Sequence, residues 1–285
     1  MTAGLLAGLA GAVLFGLGAV ILAHAVRRHA WSAERLPEFV RQGVRDPWTM
    51  LVVAMYVTGW ALHVVAIWLL PLYLAQATVA MSLAVTALAS RVLREHLGPG
   101  DWASLAAVTG GVVLLAAGSG APGPTHTSPT FAAWLGAAFV AYCLAAVIGV
   151  SSRGTALGGS VLGALAGLGY AASAIAVRGL GWPPEGLMAV AALVVPAVSV
   201  VAFWLYFLGM DRAGAAAVAG PLIVAQTFVP AVVGVVLLGD GVRAGWWPHL
   251  TVGLVAATAG AVALARGQLR RPGGVATWSW PDPAR

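Results

Sequence analysis

Residues 64–76 read Val64-Val65-Ala66-Ile67-Trp68-Leu69-Leu70-Pro71-Leu72-Tyr73-Leu74-Ala75-Gln76, between apolar runs covering about 49–69 and 72–93. Each run has the length of about 20 residues that a helix needs to cross a hydrocarbon core, where every backbone polar group must pair within its own segment. Leu70-Pro71 leaves room only for a tight turn. Pro71 opens the second helix, since the N–H it lacks has no partner in a first turn anyway. A pair of spans folded back at a proline is the unit from which the rest of the chain is read.

The unit recurs. Residues 64–69 reappear as Val200-Val201-Ala202-Phe203-Trp204-Leu205, and residues 71–76 as Pro221-Leu222-Ile223-Val224-Ala225-Gln226. Glu95 precedes Trp102 by the same interval at which Asp240 precedes Trp247, and an apolar Gly-bearing helix follows each (Gly110-Gly111 and Gly260). Three matching blocks in the same order mark an internal duplication, despite unequal gaps. Seven further runs lie near 3–23, 101–118, 130–150, 157–177, 186–208, 214–238 and 246–265. The fold class is therefore all-α, a polytopic membrane helical bundle of about nine transmembrane helices in two repeats. The first half covers 1–120 with a charged loop at 24–47, the second covers 130–267, and a tail follows at 268–285. Gly98-Pro99-Gly100 and Ala121 to Pro129 are loops by composition, and Pro196 and Pro230 should kink or break the spans that contain them.

Composition agrees with lipid as the solvent. The chain has 285 residues, 60% hydrophobic and 8% charged, with a mean hydropathy of +0.92. A water-soluble domain runs nearer about 45–50% apolar and about 25% charged. All 15 basic residues are arginine, and they sit in short loops between apolar runs. A nucleic-acid face would need them clustered on a soluble element, so the pI of 10.4 does not point to nucleic acid. The one cysteine, Cys143, excludes an intrachain disulfide or a cysteine metal site and reads as a small buried hydrophobe. No basic residue precedes the first apolar stretch, which reads as a retained span rather than a leader.

The arginines also orient the chain. With the N-terminus outside, 13 of the 15 fall in cytoplasmic segments and only Arg178 and Arg243 face out. The positive-inside rule selects that arrangement in the plasma membrane, with the C-terminus cytoplasmic. The Glu95 loop then lies inside and the Asp240 loop outside, so the two repeats are inverted. Within 24–47 a short interfacial helix is expected, with Leu36, Phe39 and Val40 on its apolar side. The Arg-rich tail with Trp278 and Trp280 should be drawn to an anionic leaflet.

On these blocks the halves resemble the paired EamA-type repeats of the drug/metabolite transporter superfamily. The matching stretches are Pro71 to Gly118, with Leu93-Arg94-Glu95-His96-Leu97, and Leu208 to Gly267, with Leu238-Gly239-Asp240-Gly241. The resemblance implies ten spans, with an acidic residue ending a helix before the last Gly-bearing one. This chain lacks one span near its start, since 24–47 is too charged to cross. Nine spans resemble the magnesium-transporter-like (NIPA-type) branch.

Polar side chains inside a membrane are costly and face protein or a cavity. Tyr56, Trp60 and His63 share a helix face by their spacing, with His63 either a solute-contacting residue or a neutral ring bonded between helices. Gln76 and Gln226 are equivalent in the repeats and either line a solute path or join helices. Tyr170, Ser173 and Arg178 lie on the sixth span, where Arg178 either meets an anionic solute or snorkels to the surface. Gly159, Gly163 and Gly167 serve close helix packing, and Trp68 and Trp204 stack on a solute or anchor at the interface. Glu95 and Asp240 hold their loops to nearby arginines.

The candidate substrate-binding residues are Tyr56, Trp60, His63, Gln76, Tyr170 and Gln226, with no metal ligand and no cofactor assigned. Motifs for phosphate loops, zinc hydrolases and nucleophile elbows are absent, so no enzyme is expected. An inverted duplication reads as a secondary carrier for a small organic metabolite or drug-like solute, with a mostly apolar and aromatic cavity holding a few neutral polar groups. The alternatives are a magnesium or other divalent-cation transporter, weakened by the lack of a midplane carboxylate, and a membrane subunit or flippase-like protein for lipid-linked envelope sugars.

Overall fold

The computed structural model describes residues 1–28, 41, 44–92, 98–124, 128–151, 156–180, 186–213 and 215–269. Among them are ten α-helices: α1 (Thr2–Arg28), α2 (Pro47–Leu69), α3 (Leu72–Val92), α4 (Pro99–Ala117), α5 (Pro129–Val150), α6 (Ala156–Leu180), α7 (Leu187–Ala192), α8 (Val194–Ala213), α9 (Ala215–Val236) and α10 (Trp247–Leu269). Helices α7 and α8 form one span, Leu187–Met210. Eight segments are long and apolar enough to cross a membrane, and α9 contributes the shorter apolar stretch Gly220–Val236. The chain is an all-α multi-pass membrane bundle. The expected interfacial helix around Leu36, the loop at Glu95 and the tail with Trp278 lie outside the described residues.

Several spans start with the same local chemistry. Asp46 precedes Pro47 and accepts bonds from the Thr49 nitrogen at 2.9 Å and hydroxyl at 2.6 Å. Ser128 precedes Pro129 and accepts from the Phe131 nitrogen at 3.2 Å, while Asp101 reaches back to the Gly98 nitrogen at 2.8 Å across Pro99. Each cap satisfies donors that a first turn leaves open, and the proline removes one donor outright. Pro71 acts as expected, with Leu70 extended at φ −124° and α3 beginning at Leu72. Pro196 falls just after the break at Leu193 that divides α7 from α8. Pro221 and Pro230 instead lie inside the continuous helix α9.

The two halves repeat one packing scheme. Helix α1 runs antiparallel to α2, where a Cβ on Gly11 would come 2.9 Å from the Gly59 carbonyl oxygen. It runs parallel to α3, with Gly8 against Thr78 and Gly16 accepting from the Thr86 hydroxyl at 3.1 Å. In the second half α6 runs antiparallel to α8, with Gly169 against Ala202 and Leu162 against Gly209. It runs parallel to α9, with Gly163 on Val218 and Gly167 on Leu222. Small residues let these backbones approach closely where no hydrophobic force separates helix from lipid.

The repeat-equivalent helices α4 and α10 then pack directly on each other. Gly111 faces Gly253 and Ala257, while Gly260 faces Ser104 and Val108. Rising numbers on one helix meet falling numbers on the other, so the two are antiparallel. Equivalent elements that cross antiparallel place the halves upside-down to one another. Helix α5 flanks α6, α7 and α8, and no described helix covers the matching flank of α1. Outward-facing Trp134, Ile148, Leu157, Leu193 and Val236 are 68–76% exposed, which suits lipid and not water.

Candidate functional site

The seam between halves brings α2 and α3 of the first against α6 and α8 of the second. At its Pro71 end lies a buried ionic knot. Asp240, 4% exposed, sits between α9 and α10. Its Oδ2 accepts from the Leu72 nitrogen at 2.5 Å, and its Oδ1 accepts from the Gly123 nitrogen at 2.8 Å and from Arg178 Nη2 at 3.2 Å. The carboxylate thus caps the N-terminus of α3, where the helix dipole favours negative charge. Arg178 is 2% exposed and also donates to the carbonyls of Gly123 and, at 3.4 Å, of Ile67. Snorkelling is therefore overturned for Arg178. The fold delivers a carboxylate and two carbonyls to the two terminal nitrogens of the guanidinium, while Nε is buried without a partner. One face of the knot is the linker between halves, docked by Gly120 N to Gly241 O at 3.1 Å and Gly241 N to Ala121 O at 2.8 Å. Tyr73 Oη adds a bond to Gly241 O at 3.0 Å, and Trp68 Nε1 donates to Val177 O at 3.1 Å.

Deeper in the first half, α2 and α3 meet through His63 and Gln76, both buried, whose Nε2 atoms lie 3.3 Å apart. Whichever tautomer the ring adopts, Nδ1 is left buried without a partner. In the second half, the Ser199 hydroxyl donates to that of Ser173 at 3.1 Å, tying α8 to α6.

Tyr142, Tyr170 and Tyr206 belong to one apolar cluster, and Tyr206 and Tyr56 both pack on an adjoining one with Phe203 and Phe207, so these clusters hold four of the chain's five tyrosines, from α2, α5, α6 and α8. The Tyr142 hydroxyl is buried against Gly169 and has no hydrogen-bond partner. Toward the Met210 end an aromatic cluster bridges the halves. Tyr56 meets Phe15 edge-on at 5.8 Å and Phe203 at 6.3 Å between centroids, and Phe203 stacks obliquely on Phe207 at 5.1 Å. Edge-to-face pairs of this kind add about 0.5–1.5 kcal/mol each beyond burial.

Of the six residues singled out from sequence, His63 and Gln76 are joined, and Tyr56 and Tyr170 lie in the two adjoining clusters. Trp60 stands apart, 39% exposed beside the buried face of α2. Gln226 is half-buried on α9 and makes no hydrogen bond among the described residues. Sequence reasoning missed Tyr142, Tyr206 and Phe203. Their signal was the placement of every tyrosine inside an apolar run. Among the described residues no three His, Cys, Asp or Glu side chains gather as a metal site would require. Asp240 is already occupied by the helix start and the guanidinium.

The chain matches no family model, and searches of curated proteins and of solved structures returned no match.

Proposed function

We propose that the protein is a secondary transporter that carries a small organic metabolite or drug-like solute across the plasma membrane by alternating access, without chemical change to the solute. The observation that carries this reading is the antiparallel crossing of the equivalent helices α4 and α10. Two inverted copies of one bundle possess two exchange-related packings, and a site at their seam then opens to each side in turn. By the positive-inside rule, which assigns 13 of the 15 arginines to cytoplasmic segments, the Pro71 end with Arg178 and Arg243 is taken as the outer one.

In this scheme the Arg178–Asp240 knot is the outer closure, and the Tyr56–Phe203–Phe207 cluster is the inner one. The solute sits between them, against the rings of Tyr56, Tyr170 and Tyr206, with the spare Nδ1 of His63 and the Tyr142 hydroxyl as hydrogen-bonding groups. Such a lining favours a planar or amphipathic organic molecule with a few polar atoms. Binding of a ligand to the folded state raises its apparent stability, so thermal unfolding against a metabolite panel identifies compounds to test. Counterflow of a binding compound in proteoliposomes should exceed that of protein-free liposomes. Tyr170→Phe should lower it about tenfold, the loss of one buried hydrogen bond to the solute, with an unfolding temperature close to wild type; His63→Ala should lower it too, with a lower unfolding temperature because the buried Gln76 amide loses its partner. Compounds that bind but cross only at the protein-free rate would sink the carrier reading.

A further inference from the structure

Away from the seam, an open groove of about 360 Å³ runs along the outer surface where α9 meets α10. Its walls are mostly apolar, with Val224 and Phe228 from α9 and Val255, Val262 and Ala263 from α10; Thr258, whose buried hydroxyl has no partner, also lines it, and Arg266 stands at one end. The guanidinium lies over the second turn of α9: a Cβ on Gly220 would come 3.4 Å from Nη2. Arg266 forms no ion pair or hydrogen bond among the described residues, whereas Arg212 at the same end is held by the Val150 carbonyl at 2.6 Å. The charge at the end of the groove is therefore that of Arg266.

The dimensions identify the occupant. Eleven residues separate Val255 from Arg266, about 16 Å along a helix at roughly 1.5 Å per residue. That is half of a hydrocarbon core of about 30 Å, the depth of a single leaflet. An acyl chain entering beside Arg266 would end near Val255, at mid-membrane. The planar five-donor fork of arginine matches phosphate oxygens, and no carboxylate lies among the residues lining the groove to compete.

We propose that this groove is a binding site for one anionic phospholipid, its phosphate on Arg266 and one acyl chain laid between α9 and α10. The site is independent of the carrier reading, since none of the residues lining it belongs to the proposed solute site or closures and its test requires no transport.

The test uses the purified full-length protein in detergent, with phosphatidylglycerol or phosphatidylcholine of identical chains, followed by native mass spectrometry and thermal unfolding. Phosphatidylglycerol should be retained about tenfold better than phosphatidylcholine, the weight of one charge-assisted contact, and should raise the unfolding temperature. Arg266→Gln should erase that preference while leaving the lipid-free unfolding temperature unchanged, since the side chain is exposed. Ala263→Phe, which fills the groove and keeps the charge, should lower retention of both lipids. If Ala263→Phe fails to fold, Arg266→Gln alone decides. Equal retention of the two lipids by wild type, undiminished preference in Arg266→Gln, or equal stabilisation by glycerol phosphate would each overturn the proposal. So would a dimer mass lost in Ala263→Phe, which would assign the groove to a second copy of the chain.

Discussion

At Asp240 one carboxylate serves a helix N-terminus, the linker between halves and a guanidinium, all out of contact with water. Removing one partner of such a pair leaves the other charge buried and unpaired, a cost of about 3–5 kcal/mol, whereas apolar replacement of both partners is often neutral. Asp240→Leu alone should therefore lower the unfolding temperature markedly. The double variant Arg178→Met/Asp240→Leu should lose much less, although the cap on Leu72 is gone in both. Thermal unfolding of the purified variants checks this, and equal losses would show that the cap, not the ion pair, matters. The same arithmetic suits a closure on the carrier reading: the assembled pair adds little net stability, yet neither charge is tolerable half-assembled. Opening must then expose both groups to water together.

Among helix contacts, adjacent glycines on α4 supply a controlled comparison. A Cβ on Gly111 would lie 2.6 Å from the Ala257 nitrogen and the Gly253 carbonyl oxygen, backbone atoms that cannot swing aside. A Cβ on Gly110 would meet nothing within 4 Å. Gly110→Ala should be neutral or stabilising by about 0.5–1 kcal/mol, the helix propensity gained. Gly111→Ala should force α4 and α10 apart and reduce the folded fraction, which size-exclusion profiles and unfolding temperatures will report. If both variants behave alike, the close crossing of α4 and α10 is wrong, and with it the direct evidence for inversion.

The same scale shows what was legible in the sequence. Spans could be read because lipid forces each crossing to satisfy its backbone over about 20 apolar residues. The break before Pro196 was readable because proline lacks a backbone N–H and its ring clashes with the carbonyl one turn back, here at Ala192 beside the break at Leu193. The opposite behaviour of Pro71 and Pro221 was not. Both start equivalent blocks, yet only Pro71 has a carboxylate waiting to cap the helix start, and that carboxylate arrives from 168 residues away. Arg178 and Asp240 are likewise 62 residues apart, and no local pattern links them. Tyr56 and Tyr170 were recognisable as intramembrane polar residues, but their gathering with Tyr142 and Tyr206 depends on how four helices pack.

For the whole molecule, the decisive issue is whether the halves move as units. Tyr56 and Phe203 meet across the seam with centroids 6.3 Å apart, whereas Ser173 and Ser199 lie within the second half with hydroxyls 3.1 Å apart. Rocking of one inverted half against the other changes the first distance and preserves the second. In a Cys143→Ser background, a cleavable thiol cross-link between Tyr56→Cys and Phe203→Cys should stop counterflow, and cleavage should restore it. A link between Ser173→Cys and Ser199→Cys should leave most of the activity in place. The comparison controls for the cysteines themselves, because each pair is assayed before and after cleavage. Transport that survives the link across the seam would rule out rocking at that contact, and transport lost equally in both would mean that the second half flexes internally. Only a block confined to the link across the seam fits two bundles exchanging between mirror-related arrangements, with the ionic knot closing one side and the aromatic cluster the other.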